Sequence, residues 1–412
     1  MLQGAACRME GAVLGHRKRL LIVCTHSLTA LTLCKGLFPF LESRGYDIDV
    51  VVGDREYWDF PREHFGAARL HVIPMERMPR PLRDALALIR FCLFMLRNRF
   101  DVIHVSTPKA SLLAALAARL TFSGPVLYIH RRQAYRLMTG GRRKLFEWAD
   151  RFTVMLCRQV VPISRQMASE LVEAGIAPHR KICFIGSGSS NGIDTERFRP
   201  TKELTERGLA LRKAHGIPKT APLLLFVGRL CSEKGVADLS AAFDAALCLA
   251  PHAHLAIVGP SDRRDPIPQE SRRRFETDSA IHLTGFCDDP RAWFAACDVF
   301  VFSSYFEGFG NVLLEASAME KPCVAYDVPG VREAVAHEVS GFLVASHDAV
   351  ALGEAAGRLL GDPAEAAAIG QRGRQRVVDE FRRERVWAEL VEVIDRLSGR
   401  APSPSVLSDS RA

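Results

Sequence analysis

Two glutamates eight positions apart, Glu307 and Glu315, flank a short turn that contains two glycines. The turn follows an apolar run at residues 298–302 that has the composition of a buried parallel strand, and it opens a helical pattern that reaches Met319. Open α/β sheets bind ligands at such strand-to-helix turns. Amides at a helix start can hold phosphate oxygens, whereas carboxylates suit hydroxyl groups, so the pattern indicates a sugar nucleotide. The structural alternative is a turn followed by an ordinary amphipathic helix.

A second strand-to-helix turn carries two cations. The apolar run at residues 223–227 ends at Gly228, and Arg229 and Lys234 follow before the next helix, for which Ser232 is the predicted N-cap. Breaking the anomeric C–O bond of a sugar nucleotide leaves a diphosphate whose negative charge grows in the transition state, so a cation is needed there. Arg can engage two oxygens at once, and Lys adds a mobile point charge. Alternatively, both are solvated loop charges.

These two motifs resemble those of the retaining glycosyltransferases of family 4, which have the GT-B fold. The resemblance covers about residues 17–397, and Glu307 and Glu315 match the E-x7-E signature of the family. It implies that Arg229 and Lys234 grip the donor diphosphate, that Glu307 orients the hexose and that Glu315 anchors the ribose. The predicted donor-binding residues are Gly228, Arg229, Lys234, Gly308, Phe309, Gly310, Asn311, Val312 and Glu315.

In the first half of the chain, His130 is the predicted active-site residue. It ends the apolar run at residues 125–129, and many members of the family have a histidine at this strand end facing the donor sugar. The family usually continues His-Gly or His-Asp, whereas this chain has Arg131 and Arg132, and a lone strand-end histidine is also a common structural residue. With Glu307, Lys234 and Arg229, His130 completes the predicted catalytic set. The loop at residues 186–194 resembles one branch of the family, the enzymes that build lipid-linked bacterial saccharides from N-acetylhexosamine donors.

No metal is expected, and the nucleotide sugar is a substrate, so no cofactor is predicted. Asp47 and Asp49 superficially match the metal-binding Asp-x-Asp of other glycosyltransferases. They enter the apolar run at residues 50–52, however, with no sugar-nucleotide motif beside them. Arg229, Lys234 and the helix amides already supply the positive potential that a metal would provide.

The chain of 412 residues, 48% hydrophobic, is long enough for two cores. Apolar runs alternate with helical patterns, which predicts an α/β fold: GT-B, with two doubly wound parallel-sheet, Rossmann-like lobes facing a central cleft. We predict an acceptor-binding lobe at residues 17–192, a nucleotide-sugar-binding lobe at 193–380, a helix at 381–400 that could pack back on the first lobe, and a disordered tail at 401–412. The predicted strands lie at residues 19–24, 48–53, 70–74, 102–106, 126–130, 160–164, 182–186, 223–228, 254–259, 281–284, 298–303, 322–327 and 341–344.

Charge is distributed unevenly along the chain. Residues 1–200 carry 30 Lys and Arg against 17 Asp and Glu, or +13, whereas residues 201–412 carry 25 against 30, or −5. The basic first half indicates an anionic acceptor, an anionic membrane surface or both, and no nucleic-acid-binding signature accompanies it. Eleven cysteines without ligand or disulfide spacing indicate a reducing compartment. We therefore expect a cytoplasmic protein, peripheral on the inner face of the plasma membrane.

Residues 81–100 could provide this membrane contact. Arg83, Arg90 and Arg97 recur every seven positions and share one helical stripe, while apolar residues cover much of the rest. Such a helix can lie in a bilayer interface, and three arginines argue against a membrane span. The alternative is a helix that covers the sheet and has a narrow solvent face.

Taken together, the residues and the resemblance predict transfer of a hexose or N-acetylhexosamine, with retention, from a nucleotide sugar that is UDP-linked. The predicted acceptor is a lipid-diphosphate-linked or other saccharide in bacterial cell-surface polysaccharide assembly, such as lipopolysaccharide O-antigen or capsule. The alternatives are a nucleotide-sugar 2-epimerase or hydrolase of the same architecture and a non-catalytic sugar-nucleotide-binding subunit.

Overall fold

The computed structural model describes residues 17–56, 65–76, 78–189, 191–262 and 265–399. Two parallel six-stranded sheets run through these residues. The strands are β1 (Lys18–Val23), β2 (Tyr46–Val52), β3 (Arg69–Val72), β4 (Val102–Val105), β5 (Val126–His130), β6 (Gln159–Pro162), β7 (Leu223–Val227), β8 (His254–Val258), β9 (Ile281–Gly285), β10 (Val299–Phe302), β11 (Cys323–Tyr326) and β12 (Gly341–Val344).

The described helices occupy most of the remaining chain. They are α1 (Ser27–Leu33), α2 (Leu37–Ser43), α3 (Pro81–Arg97), α4 (Pro108–Leu120), α5 (Gly140–Leu156), α6 (Arg165–Glu173), α7 (Lys202–Ala214), α8 (Leu239–Leu249), α9 (Gln269–Thr277), α10 (Arg291–Ala296), α11 (Asn311–Ala318), α12 (Val331–Ala334), α13 (Ala349–Gly361), α14 (Pro363–Glu380) and α15 (Arg383–Leu397). Short 3₁₀ turns lie at Ala134–Leu137, His179–Lys181, Ser232–Lys234 and Val236–Asp238. Of the helices described, none is long and apolar enough to cross a membrane.

Both sheets have the doubly wound strand order. The first runs β3-β2-β1-β4-β5-β6 and the second β12-β11-β10-β7-β8-β9. In the second sheet β7 pairs with β8 on one side and with β10 on the other, so the chain reverses its direction of winding between β7 and β10. This switch point is where such sheets leave a crevice for ligands at the carboxyl ends of the strands. The α/β prediction and its GT-B architecture are confirmed.

The chain divides into two compact units. One comprises the described residues up to Tyr128, Leu156–Arg158 and the described residues from Val391 onward. The other comprises Ile129–Met155 and Gln159–Leu390. In the first unit, the Tyr46 hydroxyl bonds Asp395 in the last turns of α15. The predicted tail at 401–412 lies outside the described residues.

Two local predictions were wrong. The predicted strand at residues 182–186 forms only an isolated bridge, Val160 with Ile182, and the chain then turns at Gly186 and Gly188, which both have positive φ. The predicted Ser232 N-cap is absent as well. Residues 232–234 form a 3₁₀ turn that ends at Gly235, whose φ is 59°, and the longer helix α8 starts only at Leu239.

The two acids that imitate a metal motif have different environments on β2. The Asp49 side chain is 1% exposed and its carboxylate meets three cationic or ionisable side chains, Arg19 at 2.8 Å, Arg69 at 2.8 Å and His71 at 2.8 Å. Burial opposes ionisation of Asp49, but the hydrogen bonds from His71, Arg69 and Arg19 outweigh it and hold its pKa well below the usual range. Asp47 makes an exposed pair with Arg17. Asp49 is thus committed to the structure of the first unit.

We expect Asp49→Asn to destabilise the first unit by roughly 3 kcal/mol, the lower end of the range for breaking a buried pair, because its arginines keep partial solvent access. Asp47→Asn, in an exposed pair, should change stability by less than about 1 kcal/mol. Urea unfolding of both variants at pH 7 measures the difference. Since the folded-state pKa of Asp49 is depressed, its contribution is present above the ordinary pKa of 3.8 and is lost as pH falls below it. Equal unfolding midpoints for the two variants would contradict this assignment.

Candidate functional site

The second sheet brings one predicted cation and one predicted carboxylate into direct contact. Lys234 follows β7 and Glu307 follows β10, so the two lie beside the switch point between adjacent strands. The Lys234 Nζ forms an ion pair with the Glu307 Oε1, and the side chains are only 16% and 14% exposed. Lys234 also lies 5.5 Å from the centre of the Phe302 ring, at the end of β10. The protein therefore shields most of this ion pair from solvent.

Glycines make the backbone around this pair possible. Gly235 has a φ of 59°, and a Cβ there would come within 2.0 Å of the Ser303 carbonyl oxygen, so only glycine lets the two turns meet. Gly308 packs against the Arg131 carbonyl, which a Cβ would approach to 2.6 Å. The spacing of glycines in the sequence therefore reflects close contact between segments that are far apart in the chain.

Helix α11 begins directly after this turn. Its N-cap is Gly310, in left-handed conformation with φ 77°, which has no side chain with which to cap the helix. The amides of Gly310, Asn311 and Val312 were the predicted phosphate donors, and the helix start presents such groups together with the positive end of the helix dipole. The turn thus combines an anion-binding helix start with the Lys234 ammonium.

Glu315 lies one turn into α11 and is half-buried. Burial raises the pKa of Glu315 to about 7, and the charge of Arg197 opposes this shift only in part. The folded protein therefore favours the neutral form of this carboxyl group more than an exposed glutamate would. A carboxylate of this kind favours a hydrogen-bond donor such as a sugar hydroxyl group, which compensates for its lost hydration.

Arg229 has a partner that no sequence motif predicts. Its Nη1 lies 2.7 Å from the Asp262 Oδ2, and its side chain is about half exposed. Arg132 makes a similar contact, 2.6 Å from Glu233, the residue that precedes Lys234. Asp262 and Glu233 hold these cations in place. The partners lie 33 and 101 positions apart in the chain, so no sequence motif identifies either pair.

His130 is buried at the end of β5. Its side chain is 1% exposed, and its Nε2 lies 2.8 Å from the Asp150 Oδ2 in α5. Asp150 fixes the orientation of the imidazole, and the sequence carries no motif that could have identified it. The ring presents little surface to a ligand in this conformation, and its role at the donor sugar stays a prediction.

The loop that resembles one branch of the family contacts the Glu307–Glu315 segment. The Ser189 hydroxyl donates to the Asn311 Oδ1 at 3.3 Å, and the Ser189 amide donates to the Ile163 carbonyl at 2.9 Å. Gly188, with φ 105°, lies so close to the buried Phe309 ring that a Cβ would approach it to 2.5 Å. Phe309 is therefore a packing residue that joins the loop to the start of α11.

Two family models match this chain. One, described as Glycosyl transferases group 1, matches residues 221–362, which include both cationic and acidic motifs. The other, described as Glycosyltransferase Family 4, matches residues 32–197. The chain is thus a glycosyltransferase, with a family 4 match at residues 32–197 and a group 1 match at residues 221–362. These matches favour the transferase over the epimerase or hydrolase among the predicted alternatives.

Several relatives are similar to this glycosyltransferase over most of its length. The capsular polysaccharide biosynthesis glycosyltransferase CapM of Staphylococcus aureus is 26% identical over 88% of this chain and 93% of its own. The Escherichia coli UDP-Gal:α-D-GlcNAc-diphosphoundecaprenol α-1,3-galactosyltransferase is 23% identical over 65% and 68%. Among solved structures, sucrose-phosphate synthase from Thermosynechococcus elongatus superimposes with a TM-score of 0.76 at 22% identity, covering 93% of this chain and 100% of that one. Anabaena HepE in complex with UDP gives 0.75 at 19%, covering 92% and 100%.

In the part of the glycosyltransferase that the structure describes, no three His, Cys, Asp or Glu side chains are grouped to hold a metal ion. In the Asp-x-Asp sequence, the Asp49 carboxylate is already engaged by Arg19, Arg69 and His71.

The raised pKa of Glu315 predicts a pH-dependent cost to stability. Because the folded-state pKa of about 7 exceeds the ordinary 4.5, the folded protein holds this proton more tightly, and stability falls as pH rises from about 4.5 to 7. Glu315→Gln removes this cost, so its unfolding midpoint should exceed that of the wild type at pH 8 and approach it at pH 5. Ligand-free thermal unfolding at both pH values, with the exposed Glu276→Gln as control, measures the effect. A constant difference between the two pH values would contradict the burial of this carboxyl group.

Proposed function

We propose that this glycosyltransferase moves a hexose or N-acetylhexosamine, with retention of anomeric configuration, from a UDP-linked sugar to a lipid-diphosphate-linked saccharide. The single observation that carries the proposal is the Lys234–Glu307 ion pair beside the uncapped start of α11. A nucleotide sugar has a group for each part of this arrangement. Its diphosphate suits Lys234 and the helix amides, and its hexose hydroxyls suit Glu307.

The ion pair is arranged for a ligand that separates its charges. A diphosphate oxygen competes for the Lys234 ammonium, and Glu307, released in part from that contact, accepts hydrogen bonds from the hexose. Lys234 and the amides of α11 then stabilise the charge that develops as the anomeric C–O bond breaks. Arg229 follows β7, as Lys234 does, and supplies a second cation, which pairs with Asp262. Glu315 binds the ribose hydroxyls further along α11.

Transfer with retention follows if the acceptor attacks the face that the diphosphate leaves. The acceptor oxygen bonds to the anomeric carbon, the bond from that carbon to the diphosphate oxygen breaks, and the acceptor proton passes to the departing phosphate. In this scheme Glu307 acts on the sugar hydroxyls, and His130, buried against Asp150, would have to turn outward to help position the sugar. Proton NMR of the newly formed product tests retention directly, because the anomeric configuration of donor and product must agree.

The relatives support the choice of substrates. HepE has been solved with UDP-glucose as well as with UDP, which favours a UDP-linked donor. The Escherichia coli relative is named for a diphosphoundecaprenol-linked acceptor, and CapM is named for capsular polysaccharide biosynthesis. With the charge of +13 in the first half of the chain, these names favour a lipid-diphosphate saccharide in cell-surface polysaccharide assembly, on the inner face of the plasma membrane.

We expect Glu307→Gln and Lys234→Ala each to reduce turnover by at least about a hundredfold, because each removes a charge that acts on the reacting donor. Steady-state kinetics with a UDP-sugar panel and a lipid-diphosphate saccharide measure the loss. Glu276→Gln and Arg272→Ala are matched controls, because they break an exposed ion pair of the same unit, and both should keep normal turnover. Near-normal activity in both site variants would remove the core of the proposal.

Glu315→Gln should differ from these two variants in its kinetic signature. We expect it to raise the donor KM more than it lowers kcat, because ribose contacts are equal in the ground state and the transition state. Measurement at pH 8, where the wild-type carboxyl is ionised, gives the largest difference. A fall in kcat at unchanged KM would place Glu315 at the reacting centre instead.

We further propose that the reaction is metal-independent, because Arg229, Lys234 and the amides of α11 supply the positive potential at the diphosphate. Turnover should therefore be unchanged in excess EDTA. A loss of activity in EDTA that Mn²⁺ or Mg²⁺ restores would show that a metal ion is needed.

A further inference from the structure

Helix α3 in the first unit exposes an apolar stripe along its whole outer side. Leu82, Leu86, Ile89, Leu93 and Leu96 are between 46% and 89% exposed. Their spacing of four and three residues places them on one face, about 21 Å long at 1.5 Å per residue. We call these five residues the leucine stripe.

The opposite face accounts for the stability of the helix. Ala87, Phe91 and Met95 are buried in the first unit, and Phe94 turns inward to contact the His71 ring, with centroids 4.8 Å apart. The leucine stripe therefore contributes nothing to this core. A helix that only covers a sheet would carry polar residues on its outer face, and the predicted narrow solvent face is instead broad and apolar.

Cations border the leucine stripe on one side. Arg83, Arg90 and Arg97 are exposed and lie roughly 80° around the helix from the stripe, at 100° per residue. Arg83 pairs with Glu76, and Asp84 is neutralised by Lys109 at 2.8 Å. An apolar stripe bordered by arginines that never lose their charge matches the two layers of an anionic bilayer surface, acyl chains beneath phosphate headgroups.

We propose that the leucine stripe inserts into the interface of an anionic lipid bilayer, with Arg83, Arg90 and Arg97 at the headgroup phosphates. The inference deepens the proposed function and rests on it for its purpose, since a lipid-diphosphate acceptor lies in that bilayer. Charge complementarity identifies what binds this surface, because a bilayer with a negative surface suits both the leucine stripe and the arginines that border it. A second copy of this chain would bring the same positive charge to the contact.

Vesicle flotation with two triple variants tests the proposal. The first, Leu86→Gln, Ile89→Gln and Leu93→Gln together, removes the apolar contact, and glutamine at these exposed positions keeps the helix propensity of leucine. We expect it to weaken binding to phosphatidylglycerol-containing vesicles by at least about a hundredfold. The second, Arg83→Gln, Arg90→Gln and Arg97→Gln together, should weaken it by roughly a hundredfold, at about fivefold for each arginine, and should reduce its salt dependence.

The matched control replaces three exposed apolar helix residues of the second unit, Leu209, Leu249 and Val350, by glutamine. This control should bind vesicles like the wild type. Unchanged vesicle binding by the Leu86/Ile89/Leu93 variant would overturn the proposal. So would sedimentation of the wild type as a dimer that this variant converts to a monomer while neither binds vesicles, because the stripe would then be a contact between copies.

Turnover with a water-soluble short-chain acceptor separates this inference from the proposed function. Both triple variants should keep wild-type turnover in that assay, because the donor-binding residues are untouched. Wild-type turnover together with unchanged vesicle binding by the leucine variant defeats the membrane inference alone. Wild-type protein that binds vesicles through the stripe but transfers no sugar defeats the proposed function alone.

Discussion

The ion pair between Lys234 and Glu307 is the interaction around which the second sheet is arranged. It requires β7 and β10 to be neighbours, because only then do the turns that follow them meet at one sheet edge. Each charge is largely withdrawn from water, and neither would be tolerated there without the other. The pair thus holds a cation and a carboxylate at fixed positions before any ligand arrives. Such preorganisation is what electrostatic stabilisation of a leaving group requires.

The surroundings of the pair are built to keep it in place. Gly235 and Gly308 allow backbone segments to approach more closely than any side chain would permit. Ser189 and Phe309 tie the loop at residues 186–192 to the start of α11. Asp262 and Glu233 restrain the neighbouring arginines. These contacts hold in place a helix start whose N-cap, Gly310, has no side chain to bond the first amides.

In the first unit, the buried carboxylate stabilises the fold instead of binding a ligand. Asp49, which looks like half of a metal motif, is buried and committed to Arg19, Arg69 and His71. On α3 of the same unit, Arg83, Arg90 and Arg97 are exposed and lie next to exposed leucines. Buried charges here stabilise the fold, whereas exposed ones remain available for an anionic surface.

The sequence by itself determined the elements and the chemistry of the main motifs. Continuous apolar runs fixed almost every strand, including β7 and β10, because buried parallel strands tolerate few polar residues. The glycine-rich turns identified Lys234 and Glu307, since a backbone that approaches a ligand has few alternatives to glycine. The strand predicted at 182–186 pairs only at its first residue, because an apolar run alone does not decide whether a neighbouring strand lies alongside it.

Only the tertiary structure decided which of these residues meet. Lys234 and Glu307 are 73 positions apart, and no periodicity relates them. The same holds for His130 with Asp150 and for Arg229 with Asp262, because side-chain partners are chosen by strand order and by loop paths rather than by local propensity. Helix α3 makes the point in reverse: its sequence showed an amphipathic pattern, but which apolar face is covered depends on what packs against it. Burial of a helix face depends on the neighbouring elements, so the sequence of the helix alone does not determine it.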